Sequence, residues 1–243
     1  MRFLDMIAAP AEAAYAKRHV RLAPEPPGDR FGVVDTSGNP VASAKGCEGE
    51  TPITVTMVGD SLVAGCGTAN TSQSIMAVLA SRIAVHTHRP VAWKAIGKLG
   101  ATVRRVRYRM LDQVTDNPDL LIVCVGSNDI MAGRKTREWV TDLEPVLDDA
   151  KRRAKKVILF SSGQPHRSPA LGASLKRVIE ERINAQTISS ARLCKTKGIT
   201  FLDLTHTDLI DPRRFWASDG FHPSAEGYRI MADAVMRLLF GKS

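Results

Sequence analysis

From residue 53 onward the chain alternates short runs of branched apolar residues with longer stretches of helical period. The runs Ile53–Val58, Val91–Ile96, Asp119–Val125, Lys156–Ser161 and Thr200–Leu204 are rich in Val, Ile and Leu, with little polar alternation. Strands covered on both faces read this way. Between them, Val103, Val106, Met110 and Val114 recur on one helical stripe, as do Trp139, Leu143, Val146 and Leu147. Ile230, Ala234 and Leu238 predict a last helix with the same period. Strands separated by helix-sized crossovers pair in parallel through right-handed connections. The pattern therefore predicts an α/β fold, a three-layer α/β/α sandwich around five parallel strands.

The first 52 residues are different. Pro24, Pro26, Pro27, Gly28, Gly38 and Pro40 punctuate them heavily. They read as a loop-rich N-terminal extension, residues 1–52, with a short helix and a hairpin (Phe31–Val34 with Val41–Ala44). The main domain is expected over 53–243. A length of 243 residues suits one domain with an appendage.

Charge adds one question. The chain carries 34 Lys+Arg against 25 Asp+Glu, a formal net charge of +9. Such a surface attracts polyanions. The clusters Arg104, Arg105, Arg107, Arg109 and Lys151, Arg152, Arg153, Lys155, Lys156, however, fall on a helix face and at a helix end, where solvated cations are ordinary. Aromatics are 5% of the chain and do not interleave with the basic residues. No specific nucleic-acid partner is expected, although a basic binding module with a vestigial site stands as the rival of another class.

The apolar runs are too short to span a bilayer, so no transmembrane segment is expected. Cys47, Cys66, Cys124 and Cys194 have neither CxxC spacing nor a disulfide framework. The N-terminus is a poor secretory signal because Asp5 and Glu12 interrupt it. Cytoplasmic residence is the expectation, with export left open by the Ala-rich stretch that follows. His86 and His88 lack a third ligand nearby, so no metal site is predicted.

In sheets of this kind ligands bind beyond the carboxyl ends of the strands, and the notable segments fall there. The first strand runs into Gly59-Asp60-Ser61-Leu62, where Ser61 either presents a hydroxyl at the sheet edge or caps the next helix. Near the other end stands Asp219-Gly220-Phe221-His222-Pro223. This spacing lets the carboxylate reach Nδ1 of the imidazole and leaves Nε2 as a general base. Gly97 to Gly100 follow the second strand, and Gly126-Ser127-Asn128-Asp129 the third. Each could equally be turn chemistry.

Together, in this order, the four segments resemble the GDSL, or SGNH, hydrolase superfamily over roughly residues 53 to 240. The resemblance implies a flavodoxin-like sheet, a serine esterase activity and no metal or organic cofactor. It implies Ser61 as nucleophile, His222 as base and then acid, and Asp219 as its orienting carboxylate. The oxyanion hole would comprise the N–H groups of Ser61 and Gly100 and the amide of Asn128. Ala95 stands where the family often has Asn, so Gly97 remains a second candidate for that amide. Ile130, Met131, Arg213, Phe215 and Trp216 are expected wall residues, with Gln164, Pro165 and His166 on the rim.

The expected substrate is a small-molecule, lipid or carbohydrate ester, with short acyl or acetyl groups favoured. A lysophospholipase, thioesterase or acyltransferase would use the same triad. Neither oligomeric state nor acyl length is legible in the sequence.

Overall fold

A computed structural model describes residues 3–42, 51–208, 211 and 213–241. Helix α1 (Phe3–His19) is followed by a hairpin, β1 (Phe31–Val34) and β2 (Pro40–Val41). Then come β3 (Ile53–Gly59), α2 (Ser61–Ala64), α3 (Ile75–Thr87), β4 (Val91–Gly97) and α4 (Val103–Arg109). Strand β5 (Leu120–Cys124), α5 (Ser127–Met131), α6 (Thr136–Arg153) and β6 (Val157–Phe160) continue the alternation. Helix α7 (Ala173–Lys197), β7 (Thr200–Leu202) and α8 (Ala225–Phe240) complete it.

Among the described residues the strands form one sheet of seven, in the order β2-β1-β4-β3-β5-β6-β7. The five strands from β4 to β7 are parallel throughout. The expected five-stranded parallel sheet is therefore enlarged to a mixed one. Strand β1 pairs antiparallel with β4, Phe31 opposite Lys94, and β2 pairs antiparallel with β1. The hairpin covers an edge of β4 that would otherwise present unpaired backbone groups. Its predicted end at Ala44 lies outside the described residues, as does Cys47.

Alternate side chains of the central strands serve two cores. Ile122 and Cys124 of β5 face the layer of α3 and α8, while Leu121 and Val123 face α4 and α6. Both faces are dry, which explains why these strands show no polar alternation. The stripe of α6 lies buried as its period requires. The stripe begun by α4 outlasts the helix: α4 stops at Arg109, yet Met110 and Val114 remain buried around a short 3₁₀ turn.

Two expectations change. In α8 the expected Ala234 is buried with Tyr228, Met231, Ala232 and Val235, and Ile230 packs half-buried against the same core, but Leu238 is exposed. The Tyr228 hydroxyl donates to the Cys66 carbonyl at 2.7 Å, and that distant acceptor sets the rotation of the helix. The helix of the extension is also longer than expected, at 17 residues. It packs on α7, with Ala9 and Ala16 against Ile179 and Ile183. Glu12 accepts hydrogen bonds from the Leu175 and Ser174 N–H groups at the start of α7, at 2.7 and 3.3 Å. An acid at that end complements the helix dipole.

The basic cluster at the end of α6 is largely paired. Arg152 and Arg153 meet Asp149 at 3.0 and 2.9 Å, and Lys155 meets Asp119 at 2.7 Å. Among the described residues no helix is long and apolar enough to cross a membrane.

Candidate active site

Strand β3 ends at Gly59 because nothing larger fits there. A Cβ on Gly59 would lie 1.7 Å from the Cys124 carbonyl oxygen of neighbouring β5. Asp60 then caps α2, its carboxylate accepting the Leu62 N–H at 3.1 Å and the Ser127 hydroxyl at 3.0 Å. Asp60, rather than Ser61, therefore provides the cap, and the serine hydroxyl is left free of that task. Gly65, at φ +83°, ends α2 after one turn. So short a helix has little macrodipole, and any stabilisation of negative charge here comes from individual N–H groups.

Burial raises the Asp60 carboxyl to about 6, opposed by the Leu62 and Ser127 hydrogen bonds and reinforced by nearby Asp129. Asp129 is itself structural. It accepts the Val103 N–H at 2.9 Å and pairs with Arg134 at 2.8 Å, which ties α5 to the start of α4.

The histidine turn is built around Asp219. Its Oδ1 accepts the N–H groups of Phe221 and His222, each at 2.9 Å, and Gly220 turns at φ +64°. Its Oδ2 faces Nδ1 of His222 at 2.6 Å and accepts the Ala23 N–H at 2.8 Å. Burial pushes the Asp219 carboxyl up, but the N–H donors of Ala23, His222 and Phe221 and the imidazole together hold it below the usual value. An ionised Asp219 fixes the proton of His222 on Nδ1. The other nitrogen, Nε2, is buried and has no hydrogen-bond partner among the described residues.

Glycine brings the two turns together. A Cβ on Gly67 would lie 2.3 Å from the Pro223 carbonyl and 3.0 Å from Cβ of His222, so the loop after Ser61 rests directly on the histidine turn. Ser61 and His222 line one cavity of about 40 Å³, with Phe215, Trp216, Phe221, Gln164 and Met231 among its walls. Larger grooves of about 540 and 790 Å³ flank the β1–β2 hairpin, but none of the expected catalytic residues lines them.

The remaining expected residues divide. Gly100 turns at φ +75° in open space, and Asn128 Nδ2 donates to the adjacent Ala101 carbonyl at 3.0 Å. Asn128 and the Gly100 turn therefore sit side by side, although neither lines the 40 Å³ cavity. Gly97 is packed against α2, where a Cβ would stand 2.2 Å from the Ala64 nitrogen.

Of the expected walls, Phe215 and Trp216 line the cavity. Ile130 is instead buried against α1 and α7, Met131 is exposed, and Arg213 is exposed on its turn. Their neighbours in sequence face the cavity only when the backbone happens to turn that way, and here it does not. Gln164 and Pro165 reach it; His166 does not line it. Sequence reasoning missed Ser127, Ser162 and Phe221 as lining residues. Ser127 and Phe221 lie inside the quoted segments, so their signal was present but unused. Ala23 acts through its backbone N–H, which leaves no signature in a sequence.

A family model for GDSL-like lipases and acylhydrolases matches residues 57–230. The chain belongs to that family. As a family member it is 26% identical over 141 residues to the GDSL esterase/lipase WDL1 of Oryza sativa subsp. japonica. That match covers 50% of this chain and 54% of the rice protein, so the chain spans about half the length of its curated relative.

Solved structures share the fold of this GDSL-like chain at low identity. A member of the lipolytic G-D-S-L family from Veillonella parvula DSM 2008 superposes with a TM-score of 0.60 at 20% identity, covering 78% of this chain and 99% of its own. An acetylxylan esterase from Geobacillus stearothermophilus, solved as a catalytic mutant, gives 0.59 at 18%, covering 79% and 96%. A family 3 carbohydrate esterase from Clostridium thermocellum gives 0.60 at 17%, covering 77% and 94%.

Proposed function

We propose that this GDSL-like chain hydrolyses carboxylic esters of short acyl groups, acetyl above all, through a serine acyl-enzyme. The observation that carries the reading is the shared cavity. Ser61 and His222 line it together, and Asp219 holds the far side of the imidazole.

In this reading Nε2 of His222 takes the proton of the Ser61 hydroxyl as its oxygen attacks the ester carbonyl. The carbonyl oxygen becomes an anion held by the N–H groups of Ser61 and Gly100 and by Nδ2 of Asn128. His222 then protonates the departing alcohol. Water repeats the sequence on the acyl-enzyme, and the acid leaves with Ser61 restored. The missing partner of Nε2 fits this scheme, because catalytic hydrogen bonds are often long without substrate.

The size of the cavity supports a short acyl group. About 40 Å³ is room for roughly one or two water-sized groups. So small a cavity, walled in part by Phe215, Trp216 and Phe221, favours a methyl group over a fatty chain. The Geobacillus neighbour is named an acetylxylan esterase and the Clostridium neighbour a carbohydrate esterase, so acetylated carbohydrate is the first natural class to try.

The test is a fluorophosphonate probe combined with p-nitrophenyl esters of increasing acyl length. Stoichiometric labelling of Ser61 and fastest turnover on acetate support the proposal. Turnover only on long acyl chains, on thioesters, or only with an added alcohol acceptor would redirect it to lipase, thioesterase or acyltransferase. A folded protein that neither labels nor turns over any ester would overturn it.

A further inference from the structure

The segment 20–30 leaves α1 and reaches three of the four segments that carry the expected catalytic groups. Ala23 donates its N–H to Asp219 Oδ2 at 2.8 Å, on the histidine turn. Pro26 is buried against the turn after Ser61, its Cγ 3.3 Å from where a Cβ on Gly65 would lie. The carbonyl of Pro27 accepts the Thr71 N–H at 3.0 Å.

The densest contacts are made by Glu25. Its Oε1 accepts the Leu99 N–H at 2.8 Å and meets Lys98 Nζ at 3.1 Å; its Oε2 pairs with Arg30 at 2.9 Å. The same Arg30 donates from Nη1 to the Gly97 carbonyl at 2.9 Å. Residues 97, 98 and 99 are thus each held by the Glu25–Arg30 pair, immediately before Gly100. Gly100 turns at φ +75° with open space where a Cβ would stand, and the turn is closed by the Ala101 N–H donating to the Lys98 carbonyl at 3.0 Å. The direction of its N–H is set by what grips the residues before it.

We infer that Glu25 is a positioning residue for the Gly100 amide, and that segment 20–30 is a strap joining the oxyanion loop to the histidine turn. This rests on the esterase reading above. The strap lies outside the stretch that the family model matches, residues 57–230. An ionised Glu25 suits the role, because a half-buried peptide N–H and two cations all favour the charged form. Burial pushes its carboxyl up, but Leu99, Lys98 and Arg30 together hold it below the usual range.

The experiment uses the full chain with Glu25→Ala, Glu25→Gln and Glu25→Asp, assayed on p-nitrophenyl acetate with melting curves alongside. Displacing one oxyanion donor should lower kcat of Glu25→Ala by about tenfold or more, less than outright loss of a donor. KM should stay within about twofold, because the group acts on the transition state. Glu25→Gln should recover most of the loss, since its amide oxygen still accepts from Leu99. Should Glu25→Ala fail to fold, Glu25→Asp decides. It keeps the charge but withdraws the acceptor from Leu99, and its kcat should fall with KM unchanged. Wild-type kcat in the folded Ala variant, or in Asp if Ala does not fold, overturns the inference. So does a loss that Gln does not recover. A wild-type protein that fails to label at Ser61 sinks the esterase reading first, and the inference with it.

Discussion

His222 Nδ1 lies 2.6 Å from Asp219 Oδ2, while Nε2 of the same ring is buried without a partner. One nitrogen is committed and the other is free. The pair is three residues apart in sequence, yet its geometry depends on an N–H from residue 23 that lies on the same carboxylate oxygen.

Replacing Asp219 with Asn tests the commitment of Nδ1. The amide cannot accept the Nδ1 proton with both its atoms, and the imidazole can settle in the wrong tautomer. By analogy with other triads, kcat should fall by roughly 10³–10⁴ with a folded protein. A fall of less than about tenfold would mean that a backbone group can orient His222 instead.

Asn128→Ala should lower kcat by roughly 10²–10³, the usual effect of losing one oxyanion donor. It also removes the bond to the Ala101 carbonyl at 3.0 Å, so part of the loss reports displacement of the Gly100 turn. Steady-state kinetics on p-nitrophenyl acetate read the effect directly. Unchanged kcat would remove Asn128 from the oxyanion hole.

The two candidate glycines should respond to different degrees. In Gly97→Ala the new Cβ meets backbone of α2 at 2.2 Å, and backbone cannot step aside. Chemical denaturation should show a loss of several kcal/mol, about 3 or more, and activity should fall because α2 carries Ser61. Gly100→Ala enters open space and meets only the left-handed strain of φ +75°, about 1–2 kcal/mol.

Asp60 predicts a pH dependence. Its carboxyl is raised from 3.8 to about 6 in the folded state, so the fold binds this proton more tightly than the unfolded chain. The resulting stabilisation is complete below about pH 4 and is lost as pH rises through about 6. Asp60→Asn removes the charge, and its oxygen can still accept the Leu62 N–H. Its melting temperature should exceed that of wild type at pH 8, with the gap closing towards pH 4. A gap that stays constant over this range would assign the effect to something other than titration.

Local pattern was enough for much of the fold. The five parallel strands fall within a few residues of where their apolar runs predict them, and the stripe of α6 is buried as read. These features are set by what each segment must bury, which is written in its own period. The four candidate segments were legible for the same reason. Turns at strand ends need Gly, Asp and Asn, and the chemistry needs Ser and His.

Tertiary structure decided the rest. Ile130 and Met131 follow Asn128 directly, yet one joins the core under α1 and the other points to solvent. The place of Tyr228 in the core was not legible, because the partner of its hydroxyl is the Cys66 carbonyl, 162 residues away. Strand β1 was legible, but its antiparallel place beside β4 was not. Ala23 and Glu25 stood in a proline-rich stretch that read as a loose appendage, and only packing brings them to Asp219 and Leu99. A sequence determines what each segment must hide and which reactive groups it offers. Which distant backbone N–H or carbonyl completes a site depends on how those segments meet, because such groups are the same at every residue.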